Sequence, residues 1–287
     1  MDNLAKFRTD THESRTIGAI LVASGRLTDA QVKTIVKFQQ DKGLRFGDAA
    51  LRLKLMNQGD IDFALSRQFD YPYLTAESSA VDSRVIAAYN PFAPGVEALR
   101  TLRNQLTLKW LDHENGGKTL AVVSPDKGDG RSWLVANLAV LFSQLGERTL
   151  VIDAALRGPQ QHQLFGLSNE RGLSSLLAGH SSDIIQKVPD LLGLSVITAG
   201  VVPPNPQELL ARPNFSTLLA NVSSHFDVVL IDTSCGETAD AELIAARAKG
   251  VVMAVRRNVS KVKSVGNYAK RLESVGATLL GAVLIDY

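Results

Sequence analysis

The chain of 287 residues has one cysteine, Cys235, so it can form no internal disulfide, and a reducing compartment suits it. It has no apolar run near the roughly twenty residues needed to cross a bilayer. Residues 1–15 are polar and charged and lack an apolar core, so they read as a loose tail rather than a secretory signal. Charge of neither sign dominates: the net charge is +2, and Lys and Arg are not gathered into long runs, so nothing in the charge pattern supports a nucleic-acid partner. His12, His113, His162, His180 and His225 show no metal-ligand spacing. These absences point to a cytoplasmic globular chain. Its 45% hydrophobic and 21% charged residues fit one large or two smaller domains, with any membrane contact made through a partner.

What is present centres on Ser124-Pro-Asp-Lys-Gly-Asp-Gly-Arg-Ser132. The apolar run Thr119–Val123 before it reads as a buried strand, and residues 133–145 after it are apolar at helical spacing. A strand, a glycine-rich turn and a serine at a helix start form the layout that cradles phosphate: glycines let backbone N–H groups converge on an anion, and the helix N-terminus adds its dipole. Lys127, Gly128, Asp129, Gly130, Arg131, Ser132 and Trp133 are the candidate nucleotide contacts, and Ser132 is placed to bring a hydroxyl to Mg²⁺. A plain glycine turn is the alternative. Arg131 stands where the G-x-x-x-x-G-K-[ST] pattern has lysine, and Pro125 where it has its first glycine; arginine keeps the charge as a planar fork.

Two further apolar runs end in carboxylates, at Asp153 and Asp232. Ligands of an open parallel sheet bind at the carboxyl ends of its strands, so both carboxylates and the loop can share one site. One or two carboxylates beside phosphates are the ligands Mg²⁺ prefers. Arg157, after the Asp153 strand, either reaches a phosphate or caps a helix C-terminus; Lys127 either offsets the change at 131 or is an ordinary solvated lysine. Cys235 beside this site has no evident histidine partner and reads as a small filler.

Expected strands lie near 118–124, 148–153, 194–198, 227–232, 250–255 and 278–285, with helices near 95–111, 132–145, 206–223, 238–248 and 260–275. Near-continuous Val, Ile and Leu strands alternating with helices predict an α/β P-loop NTPase fold: a mostly parallel, doubly wound sheet covered on both faces. Before it, Ile17–Gln39 is echoed by Phe46–Gln68 at a constant offset of 29 residues, each unit reading as two helices with a cap at Thr28 or Asn57. The expected organisation is a tail at 1–15, a small all-α repeat domain at 16–74, a linker at 75–92, and the α/β domain at 93–287.

Residues 90–287 resemble the bacterial protein tyrosine kinases of exopolysaccharide assembly, relatives of the ParA/MinD ATPases. Gly128–Ser132 resembles their Walker A motif, Val151–Arg157 their Walker A′ and Val229–Thr233 their Walker B. Glu97, Arg100 and Arg103 fit their E-x-x-R-x-x-R ring-forming pattern; the alternative is an exposed i,i+3 charge pair. Gly172–Gly179 and Pro204–Leu210 are also family-like. The whole layout is similar to the chain-length determinant kinases of exosortase-type loci, and the front repeat resembles the N-terminal domain of type II secretion and pilus ATPases.

The resemblance implies ATP and Mg²⁺ as cofactors, with Asp153, Asp232 and Arg131 as catalytic residues and Ser132, Asp153 and Asp232 around the metal. It implies a homo-oligomeric ring, recruitment to the inner membrane, and the cytosolic segment of a membrane chain-length determinant as partner. The activity implied is autokinase transfer to tyrosine. Ala155 replaces the second carboxylate of Walker A′, and Tyr287 stands alone where the family has a tyrosine cluster, which makes Tyr287 the candidate phosphoacceptor. These departures keep open a catalytically weak assembly switch, or a MinD-like ATPase. Cyclic di-GMP at the front repeat is a further implied ligand: Arg45-Phe-Gly47 keeps a basic residue at one half-site, while Thr16-Ile-Gly18 has lost it at the other.

Overall fold

A computed structural model describes residues 16–68, 73–74, 79–112, 117–180, 183–236 and 238–286. The chain divides into two compact units, one running to Tyr73 and including Asn90–Phe92, the other formed by Leu74–Tyr89 and the chain from Ala93 onward.

The front unit holds α1 (Ile17–Ala23), α2 (Asp29–Lys42), α3 (Phe46–Arg52) and α4 (Gln58–Gln68). Both expected caps form. Thr28 and Gln31 make a reciprocal capping box on α2, and Asn57 and Asp60 exchange the same pair of bonds at the start of α4. The repeat is visible in the packing: Gly18 lies against Val32, and Gly47, 29 residues later, against Ile61. Leu21, Leu27, Ile35, Ala49, Ala50, Met56 and Ala64 form this unit's core.

The second unit begins with α5 (Ile86–Tyr89) and α6 (Pro94–Leu106), which runs on through a π-helical turn at Thr107–Leu111. Then come β1 (Thr119–Val123), α7 (Arg131–Gln144), β2 (Thr149–Asp153), α8 (Gln161–Leu164), α9 (Leu173–Leu177), β3 (Ile185–Lys187) and β4 (Leu194–Ile197). After these follow α10 (Pro206–Ala211), α11 (Pro213–His225), β5 (Val228–Asp232), α12 (Asp240–Ala248), β6 (Gly250–Arg256), α13 (Val262–Ser274) and β7 (Thr278–Ile285). The sheet order is β3-β4-β2-β5-β1-β6-β7, parallel throughout except for β3 against β4.

The strand pleat explains the apolar runs. Leu120 and Val122 of β1 join one core layer while Ala121 and Val123 join the other, and β5 divides in the same way into Val228 and Leu230 against Val229 and Ile231. Helix α7 is buried without a break from Leu134 to Ser143, the mark of a helix covered on all sides.

The structure departs from the sequence expectation at several places, the short helices α8 and α9 among them. The helix expected over 206–223 is broken, because Pro213 starts a new helix and holds Arg212 extended (ψ 150°). The short β3 was not expected. The stretch 75–92, expected as a linker, is packed over part of its length: Val81, Val85, Ala87 and Ala88 are buried in the second unit's core. Asn137 of α7 clamps this segment, accepting from Ala87 N (2.9 Å) and donating to Arg84 O (3.3 Å).

Candidate nucleotide and phosphoryl-transfer site

The loop between β1 and α7 is shaped by two glycines: Gly128 and Gly130 both have φ +88°, a conformation other residues adopt only at a cost. Gly130 leads directly into the N-terminus of α7. Lys127 and Gly128 are exposed on the loop's outer side. The side chain of Asp129, one of the expected nucleotide contacts, is buried and braces the loop. Its carboxylate accepts from Asp126 N (3.1 Å) and from the Ser260 hydroxyl (2.8 Å) beyond β6. Trp133 is half-buried and packs against the core.

The strand order β2-β5-β1 sets the two carboxylates beside this loop, and the register places Asp153 directly opposite Asp232 on neighbouring parallel strands. Both are fully buried. Asp153 accepts three backbone N–H groups, from Ala155 (3.2 Å), Gln160 (3.0 Å) and Gln161 (2.9 Å). Burial, and then the negative charge of Asp232, nonetheless push its pKa up to about 7. Burial also raises Asp232, against the opposing pull of Arg131 and of hydrogen bonds from Ser132, Gln161 and Thr233. Oδ2 of Asp232 accepts from Gln161 Nε2 (2.8 Å), whereas the buried Oδ1 has no hydrogen-bond partner. Two facing carboxylates with an unsatisfied oxygen, beside a serine at a helix start, suit a hard cation that takes its remaining ligands from phosphate and water. The donor set therefore fits Mg²⁺ with a bound nucleotide.

Two arginines near the site have protein partners. The Arg131 guanidinium donates to the Thr233 carbonyl (3.0 Å), to the Ser124 hydroxyl and to the Asp126 carbonyl (3.1 Å), all of them protein acceptors. The half-exposed Arg157 pairs through Nε with the buried Asp240 at the start of α12 (2.8 Å), a partner the sequence did not suggest. On α6, Arg100 pairs with Glu97 at i,i+3 (2.9 Å), and Arg103 donates to Leu141 O of α7 (3.1 Å). Tyr287 lies outside the described residues.

Sequence reasoning missed Gln161, which is fully buried and joins Ser132 O (3.1 Å) to Asp232. The available signal was the Gly158-Pro159 turn after Asp153, which folds the chain back over the end of its own strand. Asp240 was missed as well, and nothing local in the sequence marks it as the partner of Arg157.

No protein-family model matches the chain. Over 194 residues it is 37% identical to the putative tyrosine-protein kinase CapB of Staphylococcus aureus, a match covering 66% of this chain and 82% of that protein. The chain belongs to the bacterial tyrosine-protein kinase family. Its fold matches the kinase domain of the Escherichia coli tyrosine kinase Etk with a TM-score of 0.67 and 34% identity, covering 70% of this chain and 79% of that domain. Against the whole tyrosine-protein kinase Etk of strain K12, identity is 36% over 203 residues. That match takes in 69% of this chain but spans only 27% of the longer relative. The cell division ATPase MinD of Pyrococcus furiosus is similar at 23% identity and a TM-score of 0.52, covering 58% of this chain and 71% of MinD. That likeness shows the shared P-loop fold alone. Ala155, directly after the Asp153 strand, is buried.

Proposed function

We propose that the chain binds ATP with Mg²⁺ and transfers the γ-phosphoryl group to tyrosine hydroxyls in exopolysaccharide production. Its partner would be the cytosolic segment of a membrane-embedded chain-length determinant. The observation that carries this reading is the register of Asp153 against Asp232 beside a loop with two left-handed glycines. The loop N–H groups and the N-terminus of α7 bind phosphate oxygens. Ser132, Asp153 and Asp232 hold the metal, which when bound neutralises charge on the phosphates. Asp153, facing Asp232 at the end of its strand, is the carboxylate that would either share in holding the metal or take the acceptor tyrosine's proton. Gln161 holds the Asp232 carboxylate in place.

Intact-protein mass after incubation with Mg-ATP tests this, with Asp232→Asn run beside wild type. A phosphate-sized gain in wild type alone, mapped to tyrosine, is expected, and Tyr287 is the first position to examine. One observation favours a second reading, a nucleotide-gated assembly switch with weak chemistry: the position that usually carries a second carboxylate is the buried Ala155. Nucleotide binding without any mass gain would select it.

Ring assembly through Glu97, Arg100 and Arg103 belongs to the same reading. Substituting both Arg100 and Arg103 with Glu is expected to reduce the particle to a monomer by light scattering. An unchanged mass would remove these residues from the interface. For the front unit we assign protein docking. Thr16 is engaged as the cap of α1, accepting from Ala19 N (3.3 Å), and Arg45 is exposed ahead of α3, so the paired basic half-sites of a cyclic dinucleotide site are not both present.

A further inference from the structure

Where phosphate loops of this pattern place a lysine, this chain has an arginine whose fork already has protein acceptors. Nε donates to Thr233 O (3.0 Å), and Nη1 donates to Ser124 Oγ and to Asp126 O (3.1 Å). These three acceptors belong to three pieces of chain: Ser124 follows β1, Asp126 is in the loop, and Thr233 follows β5. The ladder between β1 and β5 ends at Val122 opposite Asp232, so the Arg131 bonds lie beyond its last rung. Two others lie there too, Thr233 Oγ1 to Val122 O (2.8 Å) and Gly236 N to Ser124 O (2.8 Å). A planar guanidinium with donors in fixed directions can hold such an array; a single ammonium on a flexible stem holds it less well.

Extending the ATP-binding reading above, we infer that Arg131 is a positioning residue that clamps the carboxyl ends of β1 and β5 beneath the loop, leaving the phosphates to backbone N–H groups. The clamp sets the loop's shape and stations its charge beside Asp232. It does not read the γ-phosphate, so preference between ATP and ADP is not set at this position. Restoring the usual lysine therefore loses function rather than gaining it.

The experiment takes the full chain as wild type, Arg131→Lys, Ser124→Ala and the double variant. It measures thermal unfolding without nucleotide, and calorimetric binding of Mg-ADP and of a non-hydrolysable Mg-ATP analogue well below the melting point. Each single variant is expected to lower the melting temperature, and the double variant by less than the sum, because both remove the same bond. Arg131→Lys is expected to weaken both nucleotides by roughly tenfold or more, leaving their ratio unchanged. A tenfold or larger change in that ratio would overturn the inference by placing residue 131 on the phosphates. Unchanged affinities alongside a lowered melting temperature would also overturn it, reducing Arg131 to a brace with no bearing on the loop. Strict additivity of the melting shifts would remove the bond to Ser124. If wild type binds neither nucleotide, the ATP-binding reading and the positioning role fail together, whereas the melting cycle still decides whether the clamp exists.

Discussion

Replacing Asp232 with Asn is expected to make the nucleotide-free protein harder to unfold while removing phosphoryl transfer. Asp153 and Asp232 are buried and face each other in register, and each is destabilised in its charged form. Asparagine keeps the shape and an oxygen for Gln161 Nε2, and it removes one of two like charges from a low-dielectric site. The gain should be on the order of 2 kcal/mol, or roughly 4–8 °C in melting temperature for a domain of this size.

The sign with pH follows from Asp153. Its folded pKa is raised to about 7, so from pH ~4, where the unfolded group ionises, up to about 7, the unfolded chain has released a proton that the native state keeps. Stability therefore falls as pH rises through that window and levels off above it. The advantage of Asp232→Asn should be larger at pH 8 than at pH 5, since the repulsion it relieves exists only when both groups are ionised. Melting curves at the two pH values check this. A variant that melts at or below wild type at pH 8 would show that the carboxylates do not repel as their register implies.

Gly172→Ala is expected to cost far more stability than its size suggests. Gly172 has an extended backbone (φ −173°), so left-handed strain is not at issue; space is. A Cβ there would lie 2.1 Å from Thr198 O and 2.4 Å from Gly200 N, both main-chain atoms that cannot rotate aside. The segment is also tied on either side. Leu173 N bonds Thr198 O (2.8 Å), Ser174 N bonds Ala199 O (2.9 Å), and Asn169 exchanges two bonds with Gly200 (2.9 and 3.0 Å). Parting these strands of chain should cost roughly 3–5 kcal/mol, or about 6–20 °C. Gly158, where an added methyl group would meet nothing within 4 Å, is the control, and Ala there should change stability by less than about 1 kcal/mol. Equal melting temperatures for the two variants would refute the close approach at Gly172.

Most of the sheet was legible because buried parallel strands are apolar on both faces: all six expected strands form, each ending within two residues of its expected boundary. The seventh, Ile185–Lys187, carries two polar residues in three and pairs only at the edge, so it leaves no apolar run to read. Part of the stretch 75–92, expected as a linker, packs for the opposite reason. Its serines suggest a linker, while its main chain at Arg84 and Ala87 bonds to Asn137, some fifty residues away along the chain.

By itself the sequence determined the glycine-rich loop between a strand and a helix, the two strand-terminal carboxylates and the 29-residue helical repeat, because each depends on residue types at short, fixed spacing. Tertiary structure alone decided which charges meet. Inserting β5 between β2 and β1 brings Asp232 opposite Asp153 and puts Thr233 within reach of Arg131, across a hundred residues of chain. It likewise gave Arg157 to Asp240 and Asp129 to Ser260. A hydrogen bond or charge repulsion depends on distance in space, and strand order, which no local pattern encodes, sets that distance.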